Sequence, residues 1–313
     1  MPKFKKKRRN PEYLAYERQI LLKIESLNEE KKEYTKVWMG IKGLYSCLKP
    51  HCYPVNFKQV EPCRLALDAY PFLYKFKYDM DGCLALFKEL QEAGHHCQLY
   101  VDGNPPKEKL EELAQRRQQR EQAFQQAQAL KSFLNDTEKS SPLDEQARKL
   151  IEKQIQAYEV ESYSIKKETR EAFLKRVKEE TTIPIVMCEG ESDTALIQAS
   201  LKGETDVVIA NDMDLFVGGV ERLWILGKTN ADPLFQEFQR SVLTKTFGLY
   251  SKSWTDVAIL AGYEKTPQLK RTSVQQAITW IRYYGSLETL FARRPELLQQ
   301  HTLQEFVDAR RFF

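Results

Sequence analysis

No run of apolar residues in this chain approaches the roughly 18 that a membrane-spanning helix needs. Its basic start, Lys3 to Arg9, leads into polar residues rather than an apolar signal core. No membrane partner is expected, and the protein is expected to stay inside the cell. The six cysteines, Cys47, Cys52, Cys63, Cys83, Cys97 and Cys188, include no CxxC pair. A chain of 313 residues is large enough to fold around an apolar core without disulfide staples, so reduced thiols are expected. His51-Cys52 and His95-His96-Cys97 lack the spaced pairing of zinc ligands and read as structural filler. Strong net charge is also missing: the balance is only +4, which neither demands nor excludes a polyanionic partner.

What charge there is sits unevenly. Basic clusters fall at Lys3 to Arg9, at Arg116-Arg117 with Arg120, and at Lys166-Lys167 to Lys178. Residues Pro11 to about Lys36 read as one amphipathic helix, with Leu14, Leu21, Ile24 and Leu27 at helical spacing. That extension, residues 1–38, is set apart from the rest of the chain.

From Met39 onward short β-rich apolar runs alternate with helical segments, which predicts βαβ units and an α/β fold with a mostly parallel central sheet flanked by helices. The runs are Leu65 to Leu67, Gln98 to Val101, Ile183 to Met187 and Val207 to Ala210, with Leu223 to Leu226 as a further strand. Between Pro106 and about Lys178 strand formers almost vanish and Gln, Glu, Lys, Arg and Ala dominate. Two long helices joined near Ser140-Ser141-Pro142 are predicted, polar over most faces and therefore projecting from the core. After Ser253 a small helical module is expected, with one helix ending near Gly262, another over about Ser273 to Tyr284, and a new start at Ser286. The division is 39–106 and 181–250 for the α/β domain, 107–180 for the helical arm, and 251–313 for the terminal module.

Each of the first four apolar runs ends at a carboxylate: Asp68, Asp102, Glu189 with Glu191, and Asp212 with Asp214. In open α/β sheets ligands bind beyond the carboxyl ends of the strands, so these six side chains should share one crevice. Alone, each would more often be a turn former or helix cap. Together they repel, and bound cations are what makes the arrangement sensible. Oxygen-only ligation selects Mg²⁺ or Mn²⁺ over zinc. Two such ions about 3.5–4 Å apart are a standard device for phosphodiester cleavage.

The motifs in their order resemble those of flap endonucleases and the wider XPG nuclease family. Met39-Gly40-Ile41-Lys42-Gly43-Leu44 is similar to the family's MGIxGL opening, Leu67-Asp68-Ala69 to its IDA motif, and Val101-Asp102-Gly103-Asn104-Pro105-Pro106 to its FDGxPP motif. Glu189-Gly190-Glu191-Ser192-Asp193 stands where the family has EAEA, and Asn211-Asp212-Met213-Asp214 resembles its EDMD segment. The resemblance, spanning roughly Met39 to Leu290, implies a PIN-like 5′ nuclease fold with a protruding helical arch and a terminal helix-two-turn-helix-like module. It implies Mg²⁺-dependent cutting of DNA at single-strand/duplex junctions, by a flap endonuclease that also acts as a 5′–3′ exonuclease, in replication, repair or recombination. Asp68, Asp102, Glu189 and Glu191 would serve one metal, and Asp212 and Asp214 mainly the second. Lys109 and Arg116 match the family's phosphate-contacting pair at the arch base; Tyr74 matches its stacking tyrosine, although alone it reads more readily as core.

Three departures bear on that expectation. Where the family has GSDY this chain has Gly262-Tyr263-Glu264-Lys265, leaving Glu264 as the replacement for a seventh metal carboxylate. The family's glycine-rich, potassium-holding hairpin is replaced by Thr266 to Arg271 with no glycine, so Lys270 and Arg271 would grip duplex phosphates without that ion. Thirty-eight residues precede Met39, whereas family members usually begin at the methionine of MGIxGL. Arg310-Arg311-Phe312-Phe313 lacks the spacing of a sliding-clamp peptide, so no clamp partner is expected. The expectation is a monomer acting on branched DNA in the nucleus or a viral replication compartment. The alternatives are a 5′ nuclease acting on RNA and a catalytically weakened scaffold that binds branched DNA.

Overall fold

The structure, a computed structural model, describes residues 40–41, 43–105, 110–140, 145–227, 232–263, 266–267, 269 and 272–313. The helix expected over Pro11 to Lys36 lies outside the described residues, as do Lys109, Glu264, Lys270 and Arg271. The described residues fall into two compact units, one within Lys107–Ser164 and one within Trp38–Pro106 and Ile165–Phe313.

The larger unit begins with α1 (Leu44–Leu48), β1 (Tyr53–Val55), β2 (Arg64–Asp68), α2 (Ala69–Lys75), α3 (Met80–Glu92) and β3 (His96–Val101). The smaller unit then supplies α4 (Leu110–Ser140) and α5 (Glu145–Ser162). The larger unit resumes with α6 (Lys167–Glu180), β4 (Ile185–Met187), α7 (Ser192–Leu201), β5 (Val207–Ile209), α8 (Asp214–Val217), β6 (Arg222–Leu226) and β7 (Phe235–Gln239). It closes with α9 (Arg240–Phe247), α10 (Ser253–Ala261), α11 (Val274–Tyr284), α12 (Leu287–Arg293) and α13 (Leu303–Asp308).

One seven-stranded sheet runs β1-β7-β6-β5-β2-β3-β4. The five strands from β6 to β4 are mutually parallel, and β7 turns back antiparallel on β6 and β1 on β7. The five apolar runs of the sequence supply the parallel strands, of which β2, β5 and β6 are buried on both faces and so read as continuous hydrophobic stretches. Alternate residues feed the two layers. Ala66, Tyr100, Val208, Leu223 and Ile225 join α1, α7 and the terminal helices in one core. Leu65, Leu67, Leu99, Val207, Ile209 and Trp224 join α2, α3 and α6 in the other.

Between Pro106 and Lys178 there are three helices rather than the expected two. α6 belongs to the sheet because Phe173 and Val177 are fully buried, with the Phe173 ring 6.1 Å from that of Phe87 on α3. In the smaller unit Ala123, Ala127, Leu130 and Leu134 recur on α4 at alternating spacings of four and three. They meet Ile151, Ile155 and Tyr158 of α5. That is a coiled-coil seam. Its small alanines make room for the Tyr158 ring, and Lys131 and Glu159 pair beside it at 2.6 Å.

Candidate active site

Because β4, β3, β2 and β5 are neighbours in the parallel part of the sheet, the segments at their carboxyl ends open on one edge. Asp68 is the last residue of β2, Asp102 follows β3, Glu189 and Glu191 follow β4, and Asp212 and Asp214 follow β5. All six carboxylates that the spacing singled out therefore follow strands that end on this edge.

Local hydrogen bonds fix the innermost of them. Asp68 caps α2, accepting from the Tyr70 backbone N–H at 3.3 Å and from the Ser192 hydroxyl at 3.4 Å. Asp102 Oδ1 accepts from the Ser192 backbone N–H at 2.7 Å, at the first turn of α7, where the helix dipole favours an anion. Asp212 Oδ1 accepts from the Asp214 backbone N–H at 2.9 Å, which sets the turn into α8. Asn211 holds the same turn to β6 by accepting from the Leu226 N–H at 2.9 Å.

Two glycines set how closely the loops approach. The Gly103 N–H donates to the Gly190 carbonyl at 2.8 Å, and a β-carbon at Gly103 would stand 1.9 Å from the Cys188 carbonyl oxygen. The loops after β3 and β4 are thus pinned backbone to backbone. Gly40 is buried at φ +73°, and a β-carbon there would lie 3.1 Å from an oxygen of each of Asp212 and Asp214. Only glycine takes that backbone conformation without strain while leaving the carboxylates their space. Beside them a cleft of about 390 Å³ is lined by Gly40, Tyr45, Asp212, Met213, Ile225 and Gln236.

Charge accumulates here. Asp68 is 8% exposed, and burial, together with the negative charges of Asp193, Asp102 and Asp212, pushes its carboxyl well above the ordinary range, against the opposing Tyr70 N–H. Ser192 and Asp193, which fall inside the matched segment Glu189 to Asp193 but were given no role of their own there, stand beside these carboxylates. Their signal was their place in the first turn of a helix following Glu189-Gly190-Glu191, where backbone donors and side chains turn toward the preceding strand ends. Glu189 is exposed and Glu191 half-buried as the residue before α7. Among the described residues no three His, Cys, Asp or Glu side chains stand together as a group that could hold a metal ion. The carboxylates are neighbours rather than a closed shell.

Tyr74 lies on α2 and is 46% exposed, which is not the core position its apolar ring alone would suggest. Arg116 is half-buried on α4 of the smaller unit, and its carbonyl accepts from Arg120 Nε at 3.1 Å. His95 has a structural role: Nε2 lies 2.9 Å from the Phe57 carbonyl, and Nδ1 faces the Cys63 N–H and thiol. Burial pushes the thiols of Cys52, Cys83 and Cys97 up to about 12, so they stay protonated.

No family model matches this chain. Flap endonuclease 1 of Trypanosoma cruzi is 26% identical to it over 278 residues, which are 80% of this chain and 66% of that protein. The chain thus spans just under two thirds of that relative's length. Among solved structures, flap endonuclease-1 from Methanococcus jannaschii superposes with a TM-score of 0.57 at 16% identity, covering 86% of this chain and 83% of that one. The catalytic core of Rad2 in complex with DNA substrate superposes with a TM-score of 0.56 at 16% identity, covering 87% and 77%. The shared architecture is the PIN-like α/β fold that the motifs imply.

Proposed function

We propose that this chain is a member of the flap endonuclease and XPG family of 5′ nucleases, to which its sequence and fold are similar, and that it is a Mg²⁺-dependent nuclease that cuts DNA where a 5′ single-stranded flap meets duplex. The observation that carries the reading is the placement of six carboxylates at the ends of four adjacent parallel strands, with Gly40 against two of them. The division of labour follows the motifs. Asp68, Asp102, Glu189 and Glu191 hold one ion; Asp212 and Asp214 hold the second, with Glu264 in the place of the family's further aspartate.

The donor chemistry fits such ions. Every donor is a carboxylate oxygen, which suits Mg²⁺ and Mn²⁺, and a bound ion would offset the repulsion that neighbouring carboxylates exert on Asp68. When bound, the ions lower the pKa of an attacking water and offset charge on the scissile phosphate and the leaving oxygen. The chain's own residues do the rest. Ser192 orients Asp68 and Asp102 through its hydroxyl and its N–H. Gly40 leaves Asp212 and Asp214 room to turn toward an ion. Lys109 and Arg116 neutralise the phosphate of the strand being cut, Tyr74 stacks on the base beside it, and Lys270 and Arg271 hold the duplex. Residues 107–180 clamp the flap, 251–313 engage the duplex, and the protein works as a monomer in the nucleus.

Metal binding and stability are linked at Asp68. A carboxyl whose folded pKa is raised makes the folded chain bind protons that the unfolded chain has released. Stability therefore falls as the pH rises from the unfolded value toward the folded one, and it remains lowered above both. Asp68→Asn keeps an acceptor for Tyr70 but carries no charge, so the metal-free variant is expected to melt a few degrees above the metal-free wild type at pH 7.5. Added Mg²⁺ should raise the melting temperature of the wild type and have little effect on the variant. Equal responses of the two proteins to Mg²⁺ would remove Asp68 from the ligand set.

A further inference from the structure

The segment between α10 and α11 is anchored by contacts that the carboxylate site does not use. From Tyr263 to Tyr284 the sequence has no glycine, and Pro267 stands early in the segment. A loop that points several carbonyls at one ion must curl back on itself, and glycine is the residue that permits such backbone. The described residues here are fixed in another way. Tyr263, Thr266 and Leu269 recur at every third position and all three are buried. The Thr266 hydroxyl accepts from the Tyr263 N–H at 3.0 Å and donates to the Tyr263 carbonyl at 2.9 Å, and the Thr266 N–H donates to the same carbonyl at 3.0 Å. A carbonyl oxygen has two lone pairs, and both are engaged here. The Ala258 and Ile259 carbonyls are taken up by the Gly262 N–H, at 3.1 and 3.3 Å, in ending α10. The carbonyls that open this turn are therefore spent within the chain and leave no ring of donors for a cation.

A second set of contacts comes from residues 309–313. The Phe313 ring lies 4.8 Å from that of Tyr263, and the Phe312 ring lies 6.5 Å from it, within the range over which aromatic rings attract. Both phenylalanines pack against the core that takes in Tyr263 and Leu269. Arg310, bonded to Asp256 of α10 and to Glu288, fixes the turn that presents them. Aromatic packing and a threonine hydroxyl thus close on one residue, Tyr263.

We infer that Tyr263, Thr266, Phe312 and Phe313 are positioning residues that shape the turn after α10 without a bound monovalent cation. This departs from the potassium-holding hairpin of the family that the sequence resembles. For the turn's role the inference rests on the nuclease reading, in which Glu264 directly follows Tyr263, and Lys270 and Arg271 follow Leu269. For the turn's shape it rests on the hydrogen bonds and ring contacts alone. The consequence is a protein indifferent to which monovalent cation surrounds it. Potassium acts on it only as screening salt, as choline does.

The test is amide hydrogen exchange of the full chain, read on the peptide covering residues 262–272, in potassium chloride and in choline chloride at equal ionic strength. Exchange is expected to be the same in both salts. Thr266→Val keeps the branched shape and loses the hydroxyl, so the turn should exchange roughly tenfold faster in either salt. Phe313→Ala should do likewise, whereas Thr266→Ser and Phe313→Tyr should keep the wild-type rate. Peptides from β2 and β5 should be unchanged in all four variants, which separates loss of this turn from loss of the fold. Slower exchange of the wild-type turn in potassium than in choline would overturn the inference, and this comparison decides even where a variant fails to fold. Wild-type exchange in Thr266→Val or Phe313→Ala would overturn it as well. Cutting of a flapped DNA in Mg²⁺, measured in the same two salts, should agree to within roughly twofold. Strong stimulation of cutting by potassium would contradict the inference, and a chain that does not cut at all leaves the exchange result standing and removes the nuclease.

Discussion

Replacing Asp212 by alanine is expected to slow flap hydrolysis a thousandfold or more, a loss of about 4 kcal/mol of transition-state stabilisation. Asp212 follows the central strand β5, accepts the Asp214 N–H at 2.9 Å, stands against Gly40, and is one of the charges that raise the Asp68 carboxyl. Alanine removes a metal donor and the acceptor that sets the turn. Asp212→Asn separates the two effects, because it keeps the acceptor and loses the charge. Both variants should fail to cut while still binding duplex, since the contacts proposed for the duplex lie on other elements. A rate within tenfold of wild type in Asp212→Asn, measured under single-turnover conditions, would mean that the second metal is held without this carboxylate.

Asp256→Ala is expected to be the most destabilising single change in the terminal module, costing about 3–5 kcal/mol. Asp256 is buried on α10, and its two oxygens accept from Arg310 at 2.7 and 2.8 Å while Oδ2 also accepts the Leu287 N–H at 3.2 Å. Arg310 in turn reaches Glu288 at 2.5 and 2.9 Å, so one guanidinium joins α10, the start of α12 and the chain's last turn. Truncating Asp256 leaves a guanidinium that folding has partly removed from water facing one carboxylate instead of two, and leaves the Leu287 N–H without its acceptor. The melting temperature should fall on the order of 10 °C. The same network gives an acid signature. Arg310 holds the Glu288 carboxyl down to about 2, so the pair's contribution is complete above the usual carboxylate range and is lost as the pH falls toward 2. A melting temperature unchanged in Asp256→Ala would show that the apolar packing of Leu287, Leu290 and Phe306 holds the module by itself.

The central parallel strands β2, β5 and β6 were legible because burial on both faces leaves continuous apolar runs, and the carboxylates because each falls where an apolar run stops. β7 was not, since Gln236 and Glu237 interrupt its two buried phenylalanines, and β1 is a three-residue edge strand containing Pro54. The allegiance of α6 was hidden for a similar reason. Its composition matches that of α4 and α5, and only Phe173, Leu174 and Val177 give it an apolar side against the core under the sheet. The seam of the α4–α5 hairpin is written in alanines as much as in leucines, so it reads as polar until the partner helix is in place. At the site, spacing could nominate residues at strand ends but not those that a following helix turns back toward them, which is why Ser192 and Asp193 were quoted within a motif yet given no role until the fold placed them beside Asp68 and Asp102.

The central claim is that this edge of the sheet cuts DNA with divalent metal. The measurement that tests it most directly is incubation of the wild-type chain with a 5′-end-labelled double-flap DNA in Mg²⁺, with a chelator control and an otherwise identical RNA flap. The predicted result is a short labelled product released at the junction of the DNA flap, with chelator abolishing it. Tight binding of the DNA with no cutting in Mg²⁺ or Mn²⁺ would contradict the account and leave a protein that holds branched DNA without hydrolysing it; cutting of the RNA flap in preference to DNA would assign the same chemistry to a different substrate.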